Sequence, residues 1–526
     1  MSVRVSERIL QLLEAEGVNT LFGIPDPSFL RMFTEAEARG WRVIAPHHEI
    51  AGGFMAEGLS RMTGKLGVVV GNQGPGVANL VPSIISSAKE NSPILYIGGQ
   101  RARIADQRVR RGRIQFVQQH KYIEDAVKYM GVVEYPEQID EIVHEAIRRA
   151  VSGRPGPVYI DVPMNAMQAE VDLPAPPPPS AYRLVHNAAS APALAAAVDL
   201  IGKSKYPLLL VGHGAFASRG LEAVGALARK LNCPIIETFP QSPVIPGLED
   251  RTFPFGFSPA GVAAVAASDL VIAIGTEIGE PVMLGTGGHW AKGNADRKWI
   301  LIESDATAFG VNRPIDAPLH GDLRDIVPQL TAAIPERKPV PELADWVAAH
   351  KDYQAKTLAA APAPSVPLHP ALALVEATKD LPEDVVLVRD GGAFNIFTWS
   401  YGQIRPRDAL WSQNFGHLGS GIPHAIGAQL AVGNDRRVVL ISGDSAFLFQ
   451  IAELETAVRK NLPILCIVGV DNSWGLEVRA YRGMLGQDSA ETESHWGKQV
   501  RLDKVAEGFG AHGEYCERAE EVAPAI

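Results

Sequence analysis

Short apolar runs alternate along this chain with longer segments whose apolar residues recur at helical spacing. Three of the runs, at 66–71, 208–212 and 438–441, are each followed by a glycine-containing turn and then by such a segment. Runs this short and apolar are typical of strands buried on both faces of a parallel sheet, and the segments between them are typical of crossover helices. The pattern therefore predicts an α/β fold built from doubly wound parallel sheets.

Two proline-rich segments divide the chain. One lies at 173–179, and the other covers 359–370. Proline fixes φ and removes a backbone donor, so that neither a helix nor an inner strand continues through such segments. A length of 526 residues suits three domains of ordinary size. We predict three doubly wound parallel-sheet domains, at 1–172, 183–335 and 366–526.

Composition narrows the classes of function. Charged residues make up 21% of the chain and hydrophobic residues 46%, as in soluble globular proteins. A net charge of −10 leaves no basic footprint for nucleic acid. No run approaches the roughly 20 apolar residues of a membrane span, and the first residues show no signal-peptide pattern. The three cysteines lie far apart in the sequence, which fits a reducing, cytoplasmic location.

The most informative chemistry follows two neighbouring strands of the third domain. Asp444, in the sequence Gly-Asp-Ser-Ala-Phe, follows the run at 438–441, and Asn472 follows the run at 464–468. A strand–helix–strand unit brings both carboxyl ends to one edge of a parallel sheet, where ligands bind. An aspartate and an asparagine there supply oxygen ligands for Mg²⁺, and the helix that starts after Asp444 can receive a diphosphate.

This arrangement resembles the magnesium–diphosphate motif of thiamine diphosphate-dependent enzymes, which usually reads Gly-Asp-Gly and then Asn-Asn. Asp471 stands where the motif has its first asparagine, and a serine replaces the last glycine. The resemblance implies that Mg²⁺ is bound by Asp444, Asn472 and Trp474. It also implies that the diphosphate end of the cofactor is bound by Gly443, Asp444, Ser445, Ala446 and Asn472.

Two further segments resemble the pyrimidine half of the same cofactor site. Glu49, which follows two histidines, matches the glutamate that shares a proton with the aminopyrimidine and so activates the cofactor. The segment at 415–423 resembles the pyrimidine-binding segment. By this resemblance the carbonyl of Gly416 accepts a proton of the 4′-amino group, and Leu418 holds the cofactor in its bent shape.

The resemblance, to the acetolactate synthase-like fold, covers the first and third domains almost end to end. It implies a pyrimidine-binding domain, a middle domain and a diphosphate-binding domain. It also implies that Glu49 of one subunit meets Asp444 of another across a two-fold interface. We therefore expect a homo-oligomer, either a dimer or a homotetramer built as a dimer of dimers. In the family a helix, a strand and a tail come at the end, so we expect the C-terminus to be incomplete here.

The motif also favours one branch of these enzymes. Gly-Asp-Ser-Ala-Phe and the sequence at 453–456 resemble oxalyl-CoA decarboxylase and 2-hydroxyacyl-CoA lyase. The favoured reading is a lyase that cleaves a 2-hydroxyacyl-CoA into formyl-CoA and an aldehyde or ketone through a thiamine diphosphate carbanion, with carboligation as the reverse reaction. The alternatives are an acetolactate synthase-like carboligase, a 2-oxoacid decarboxylase, an oxalyl-CoA decarboxylase, and a catalytically silent subunit that binds a nucleotide.

A 2-hydroxyacyl-CoA lyase needs a group that takes the proton of the 2-hydroxyl. We assign this role to Glu493, with Glu491 in reserve and His495 as its partner, because the resemblance places their segment on the substrate side of the cofactor. Gln115 lies in the loop that resembles the family's active-site loop. We expect a closed, partly desolvated pocket that raises the pKa of Glu493 and makes it a better base.

The middle domain offers one weak motif, the glycine-rich turn at 211–215 that follows a predicted strand. Such a turn can contact phosphate. CoA, ADP and flavin are the alternative ligands for it, and an ordinary strand-to-helix turn explains the sequence equally well.

Overall fold

The computed structural model describes residues 2–102, 114–239, 243–497 and 500–526. They form two compact units. Unit 1 comprises Met1–Val185, Val388–Asn395 and Leu410–Tyr515, and unit 2 comprises His186–Leu387, Ile396–Ala409 and Cys516–Ile526. Each large sheet combines parallel strands with helices, as the alternating apolar pattern predicts, and the fold class is therefore confirmed.

The first sheet lies in unit 1 and has six parallel strands in the order β3-β2-β4-β5-β7-β6, beside a small antiparallel pair, β1-β8. Its strands are β1 Val3–Arg4, β2 Thr20–Gly23, β3 Arg42–Ile44, β4 Gly67–Gly71, β5 Ile94–Gln100, β6 Met130–Val132, β7 Val158–Pro163 and β8 Glu170–Val171. The helices among them are α1 Val5–Ala15, α2 Leu30–Ala38, α3 Glu49–Thr63, α4 Pro75–Lys89, α5 Ile139–Val151 and α6 Met164–Gln168. Every residue of β4 is buried, as expected for an inner strand covered on both faces.

The second sheet lies in unit 2 and has six parallel strands in the order β11-β10-β9-β12-β13-β14. They are β9 Pro207–Val211, β10 Ile235–Glu237, β11 Thr252–Pro254, β12 Leu270–Ile274, β13 Lys298–Glu303 and β14 Ala317–His320. The helices are α7 Ala191–Lys203, α8 His213–Ala217, α9 Leu221–Leu231, α10 Pro259–Ala267, α11 Leu323–Ala333 and α12 Leu343–Ala359. The strand order reverses direction between β9 and β12, which makes the carboxyl edge there a crevice suited to ligands.

The third sheet has four strands in the order β16-β15-β17-β18. The remaining elements are α13 Pro370–Thr378, β15 Val386–Arg389, α14 Ala393–Tyr401, β16 Asp408–Leu410, α15 Gly421–Val432, β17 Val438–Gly443, α16 Asp444–Phe449, α17 Glu453–Arg459, β18 Ile464–Gly469, α18 Gly475–Leu485, α19 Leu502–Gly508 and α20 Ala519–Ala525. Among the described residues, no helix is both long and apolar enough to cross a membrane.

Candidate active site

The carboxyl ends of β17 and β18 lie side by side in unit 1. The two strands are parallel, and Gly443 is in register with Gly469. Asp444, the first residue of α16, is only 1% exposed. One of its carboxylate oxygens accepts the backbone N–H of Asn472 at 2.8 Å, and the other accepts the N–H of Ser445 at 2.8 Å. The two motifs that are separate in the sequence therefore meet at one edge of the sheet.

The charge at this edge suits a cation. Burial raises the pKa of Asp444 to about 6, and the nearby charge of Asp471 adds to the effect. A carboxylate in such a place is stabilised in its charged form by a neighbouring cation. The side-chain oxygen of Asn472 accepts the N–H of Val500 at 3.2 Å, and the carbonyl of Trp474 accepts the N–H of Val478 at 3.0 Å.

Each of these two oxygens keeps a second lone pair, and hard oxygen donors of this kind fit Mg²⁺. In the part of the chain that the structure describes, no group of three or more His, Cys, Asp or Glu is arranged to hold a metal. A cation at this edge would therefore draw on the amide and backbone oxygens as well as on Asp444.

The segment predicted to bind the pyrimidine is held by a residue that the motif analysis missed. Asp390 accepts the backbone N–H groups of Gly419 at 3.0 Å and Gly421 at 2.7 Å. A Cβ on Gly391 would lie 1.9 Å from a methyl carbon of Leu418, so only glycine lets Leu418 pack there. The sequence signal was the Asp-Gly-Gly at 390–392, directly after β15.

The backbone of Gly416 is open to a ligand. Its φ is +69°, and no heavy atom lies within 4 Å of the position that a Cβ would take. Ala446 is fully buried behind Asp444, and Ser445 is nearly so. These small or glycine positions leave room for the two ends of the predicted cofactor, and the residues present fit it.

Glu49 is the first residue of α3, and a neighbouring amide holds one of its oxygens. The side-chain N–H₂ of Asn79, on α4, donates to Oε2 of Glu49 at 2.9 Å. Gly76 leaves room for Asn72 beside Glu49, because a Cβ there would lie 1.9 Å from Oδ1 of Asn72 and 3.3 Å from Oε1 of Glu49. That Asn72 oxygen is buried and has no hydrogen-bond partner within the described residues. The second oxygen of Glu49 and this unpaired amide oxygen fit the polar edge of a pyrimidine ring.

A buried glutamine that sequence reasoning also missed supports the turn before α4. Oε1 of Gln119 accepts the N–H of Gly74 at 2.9 Å, and its Nε2 donates to Asp161 at 2.7 Å and to the carbonyl of Gly99 at 3.0 Å. No local motif marks Gln119. The predicted Gln115 is itself exposed, and its carbonyl lies 2.2 Å from the place of a Cβ on Gly74.

The segment at 491–496 folds back onto residues 472–474, called the metal loop here because two predicted Mg²⁺ ligands lie in it. The backbone N–H of Trp474 donates to Ser494 at 2.8 Å, and the N–H of Trp496 donates to the carbonyl of Asn472 at 3.0 Å. The two tryptophan rings meet edge to face, with their centroids 5.6 Å apart. The return of the chain toward the cofactor edge thus has a structural basis in backbone pairing.

The carboxylates of this segment differ from the expectation in two respects. His495 pairs with Glu491 at 2.6 Å instead of with Glu493, and the hydrogen bonds from Arg482 and His495 lower the pKa of Glu491. Glu493 is exposed, with φ at +55°, so the closed pocket expected around it is not seen among the described residues. The two ion pairs make Glu491 a weaker base than an ordinary glutamate. The catalytic role of Glu493 stays a prediction.

In the second sheet, the predicted glycine-rich turn borders a cavity at the carboxyl ends of β9 and β10. Gly212, His213 and Glu237 are among the residues that line it. The N–H of Gly214 donates to the carbonyl of Gly275 at 3.0 Å, which draws the turns after β9 and β12 together. Which ligand, if any, occupies this cavity stays a prediction.

Three family descriptions match the chain in order. The N-terminal TPP-binding domain of thiamine pyrophosphate enzymes matches residues 3–126, the central domain matches 194–330, and the C-terminal TPP-binding domain matches 390–526. The chain belongs to the thiamine pyrophosphate enzymes. Thiamine pyrophosphate and thiamine diphosphate are the same compound, so the predicted thiamine cofactor and superfamily are confirmed.

Relatives of known activity resemble the chain along nearly its whole length. It is 27% identical to the sulfoacetaldehyde acetyltransferase of Alcaligenes xylosoxydans xylosoxydans, over 99% of this chain and 89% of the relative. It is 29% identical to the acetolactate synthase large subunit of Parasynechococcus marenigrum (strain WH8102), over 96% of this chain and 82% of the relative. A probable acetolactate synthase large subunit of Methanococcus aeolicus is 26% identical, over 99% of this chain and 89% of the relative.

Proposed function

We propose that this thiamine pyrophosphate enzyme is a carbon–carbon lyase that cleaves a 2-hydroxyacyl-CoA into formyl-CoA and an aldehyde or ketone, and that the same site ligates them in reverse. The observation that carries the proposal is the pairing of the segment at 491–496 with the metal loop. This pairing brings the segment that contains Glu493 back to the edge where Asp444 and Asn472 lie. A carboxylate there is available for a substrate proton.

The chemistry of the substrate explains why such a carboxylate matters. When the bond between C1 and C2 breaks, C2 becomes a carbonyl carbon and its hydroxyl loses a proton, while C1 gains a proton and leaves as formyl-CoA. Glu493 would take the hydroxyl proton, and Glu49 would share a proton with the pyrimidine. Thiamine pyrophosphate, when bound, supplies the electron sink for the cleavage. A 2-oxo acid has no hydroxyl on that carbon, and the loss of its carboxyl group as CO₂ removes no hydroxyl proton.

The names of the relatives support a second candidate. An acetolactate synthase and a sulfoacetaldehyde acetyltransferase both resemble the chain at just under 30% identity. Carboligation from a 2-oxo acid is therefore the main alternative, and oxalyl-CoA decarboxylation is a further one. Since one fold carries many reactions, the choice depends on residues of the site.

One incubation separates these reactions. Purified protein with thiamine pyrophosphate and Mg²⁺ is given several 2-hydroxyacyl-CoA esters, oxalyl-CoA, or 2-oxo acids, and formyl-CoA and CO₂ are both measured. We expect formyl-CoA and a carbonyl compound from 2-hydroxyacyl-CoA, with no CO₂. Release of CO₂ from 2-oxo acids, without formyl-CoA from any hydroxyacyl ester, would establish the alternative.

Replacing the proposed base tests the role of the returning segment. Glu493→Gln should slow carbon–carbon cleavage by about a hundredfold, the usual size of a general-base effect, because an amide cannot accept the hydroxyl proton. Cofactor affinity should not change. Asp488→Asn is the matched control, since it converts another exposed carboxylate of the same region to an amide. Equal cleavage rates for both variants and the wild type would return Glu493 to the solvated surface.

The remaining expectations accompany this function as proposals. Mg²⁺ would be held by Asp444, Asn472 and the carbonyl of Trp474. We further propose a cytoplasmic homo-oligomer, a dimer or a dimer of dimers, in which Glu49 and Asp444 come from different subunits. The middle-domain cavity would receive the nucleotide part of CoA, or ADP.

A further inference from the structure

The turn that precedes Glu49 rests on a buried carboxylate of the third domain. One oxygen of Glu453, the first residue of α17, accepts the backbone N–H groups of His47 at 3.0 Å and His48 at 3.2 Å. The other oxygen accepts the hydroxyl of Thr456 at 2.7 Å. Glu453 is 0% exposed. Burying a charged carboxylate costs free energy unless hydrogen bonds compensate for the lost water. Both oxygens of Glu453 accept such hydrogen bonds.

The same stretch of chain also holds the end of β3 and the first residue of the loop after it. Lys460 donates to the carbonyl of Val43 at 2.8 Å, and Arg459 donates to the carbonyl of Ala45 at 2.8 Å. One carbonyl of β3 and one carbonyl of the loop therefore receive donors, and two N–H groups of the loop receive an acceptor, all from α17 or the residue after it. The backbone of this loop is fixed at several points rather than at one.

Within one chain, this contact joins the helices that begin at Asp444 to the turn before Glu49. Helix α16 begins at Asp444, on the diphosphate side, and α17 follows it directly in the chain. Glu49 begins α3 directly after the two backbone groups that Glu453 binds, and His48 caps that helix. A shift of α17 would therefore move the start of α3, and with it the carboxylate of Glu49.

We propose that Glu453 is a positioning residue that sets Glu49 for proton exchange with the bound cofactor. It acts through the backbone of the His47–His48 turn and does not itself touch the cofactor. The inference rests on the cofactor chemistry of the proposed function and not on its acyl-CoA substrate. A measurement that needs no substrate can therefore test it separately.

Three variants distinguish the loss of the hydrogen-bond acceptor from the loss of the charge and from an unrelated change on the same helix. Glu453→Asp keeps the charge but withdraws the acceptor by one methylene. Glu453→Gln keeps an acceptor at full reach without the charge. Glu455→Gln is the matched control, because Glu455 lies on the same helix and, among the described residues, its carboxylate pairs with the side chains of His47 at 2.7 Å and Arg459 at 3.1 Å and not with backbone N–H groups.

The readouts are the rate at which C2 of bound thiamine pyrophosphate exchanges its proton for deuterium, the affinity for the cofactor, and the melting temperature. In Glu453→Asp we expect exchange to slow by about tenfold to a hundredfold, the effect of a displacement near 1 Å at a reacting group. Cofactor affinity should stay within about threefold, since a factor of three is worth only about 0.65 kcal/mol. Exchange in Glu453→Gln and Glu455→Gln should stay near the wild-type rate.

Two results would overturn the proposal. Wild-type exchange in a folded Glu453→Asp would show that Glu49 does not depend on this hydrogen bond. Exchange slowed as much in Glu453→Gln as in Glu453→Asp would show that the charge, and not the acceptor, matters. If Glu453→Asp does not fold, Glu453→Gln still decides, because it must be both folded and active in exchange. Exchange slowed in Glu453→Asp alone, together with no turnover of any acyl-CoA by the wild type, would support this inference and count against the proposed substrate only.

Discussion

Glu49→Gln is expected to slow proton exchange at C2 of the bound cofactor by about a hundredfold to ten-thousandfold, the range of general acid–base effects. The amide N–H is far too weak an acid to transfer a proton to the pyrimidine nitrogen, whereas the carboxyl group can do so. The side-chain oxygen of glutamine can still accept the hydrogen bond from Asn79, so that the start of α3 should keep its place. The fold and the affinity for the cofactor should therefore survive while activation fails.

The measurement is deuterium exchange into thiamine pyrophosphate, followed by acid quench and proton NMR of the released cofactor. Glu37→Gln, at an exposed position of α2, is the control for the loss of one negative charge from the first domain. It should exchange at the wild-type rate. A Glu49→Gln enzyme with near-normal exchange would mean that another group activates the cofactor.

The parts of the site that could be predicted are those fixed by local sequence. Asp444 and Asn472 each follow an apolar run, and parallel strands joined by a helix must end at the same edge, so their meeting follows from the pattern alone. Glu49 begins a helix that starts after two polar residues and contains few large side chains, which the sequence also shows. Resemblance then supplied the chemistry that spacing alone does not specify.

The supporting residues could not be predicted, because their roles depend on distant parts of the chain. Glu453 stands on a helix face like any other glutamate, and only packing brings it to the N–H groups of His47 and His48. Gln119 and Asp390 likewise satisfy backbone groups far from them in sequence. Satisfying buried N–H groups is a requirement of the fold, but which side chain does so is decided by tertiary structure.

The surroundings of Glu493 illustrate the same limit. The resemblance predicts that the segment at 491–496 returns to the cofactor edge. Backbone hydrogen bonds with Asn472 and Trp474 hold it there. Whether a side chain on it is covered depends on neighbours that the local sequence does not name. Arg482 and His495 both pair with Glu491, whereas Glu493 has no ion pair among the residues that the structure describes.

Asp444→Asn should lower the Mg²⁺-dependent affinity for thiamine pyrophosphate by about a hundredfold, which corresponds to roughly 2.7 kcal/mol of binding free energy. The amide is of the same size and retains one oxygen that can accept the N–H of Asn472. It lacks the negative charge that attracts the cation, and a divalent ion is the largest local charge in such a site. The melting temperature without cofactor should change little, because burial outweighs the backbone hydrogen bonds to the carboxylate and raises its pKa to about 6.

Cofactor titrations at several Mg²⁺ concentrations, with calorimetry as the readout, measure this loss of affinity and separate it from misfolding. Asp435→Asn, in the exposed connection before β17, is the control for a lost carboxylate of the same domain and should bind as the wild type does. In the Asp444→Asn variant, raising Mg²⁺ should no longer strengthen binding, since the charged ligand that couples the two is gone. Wild-type affinity with the same Mg²⁺ dependence in that variant would show that the cation is held elsewhere, and the assignment of this sheet edge to the diphosphate end would fall with it.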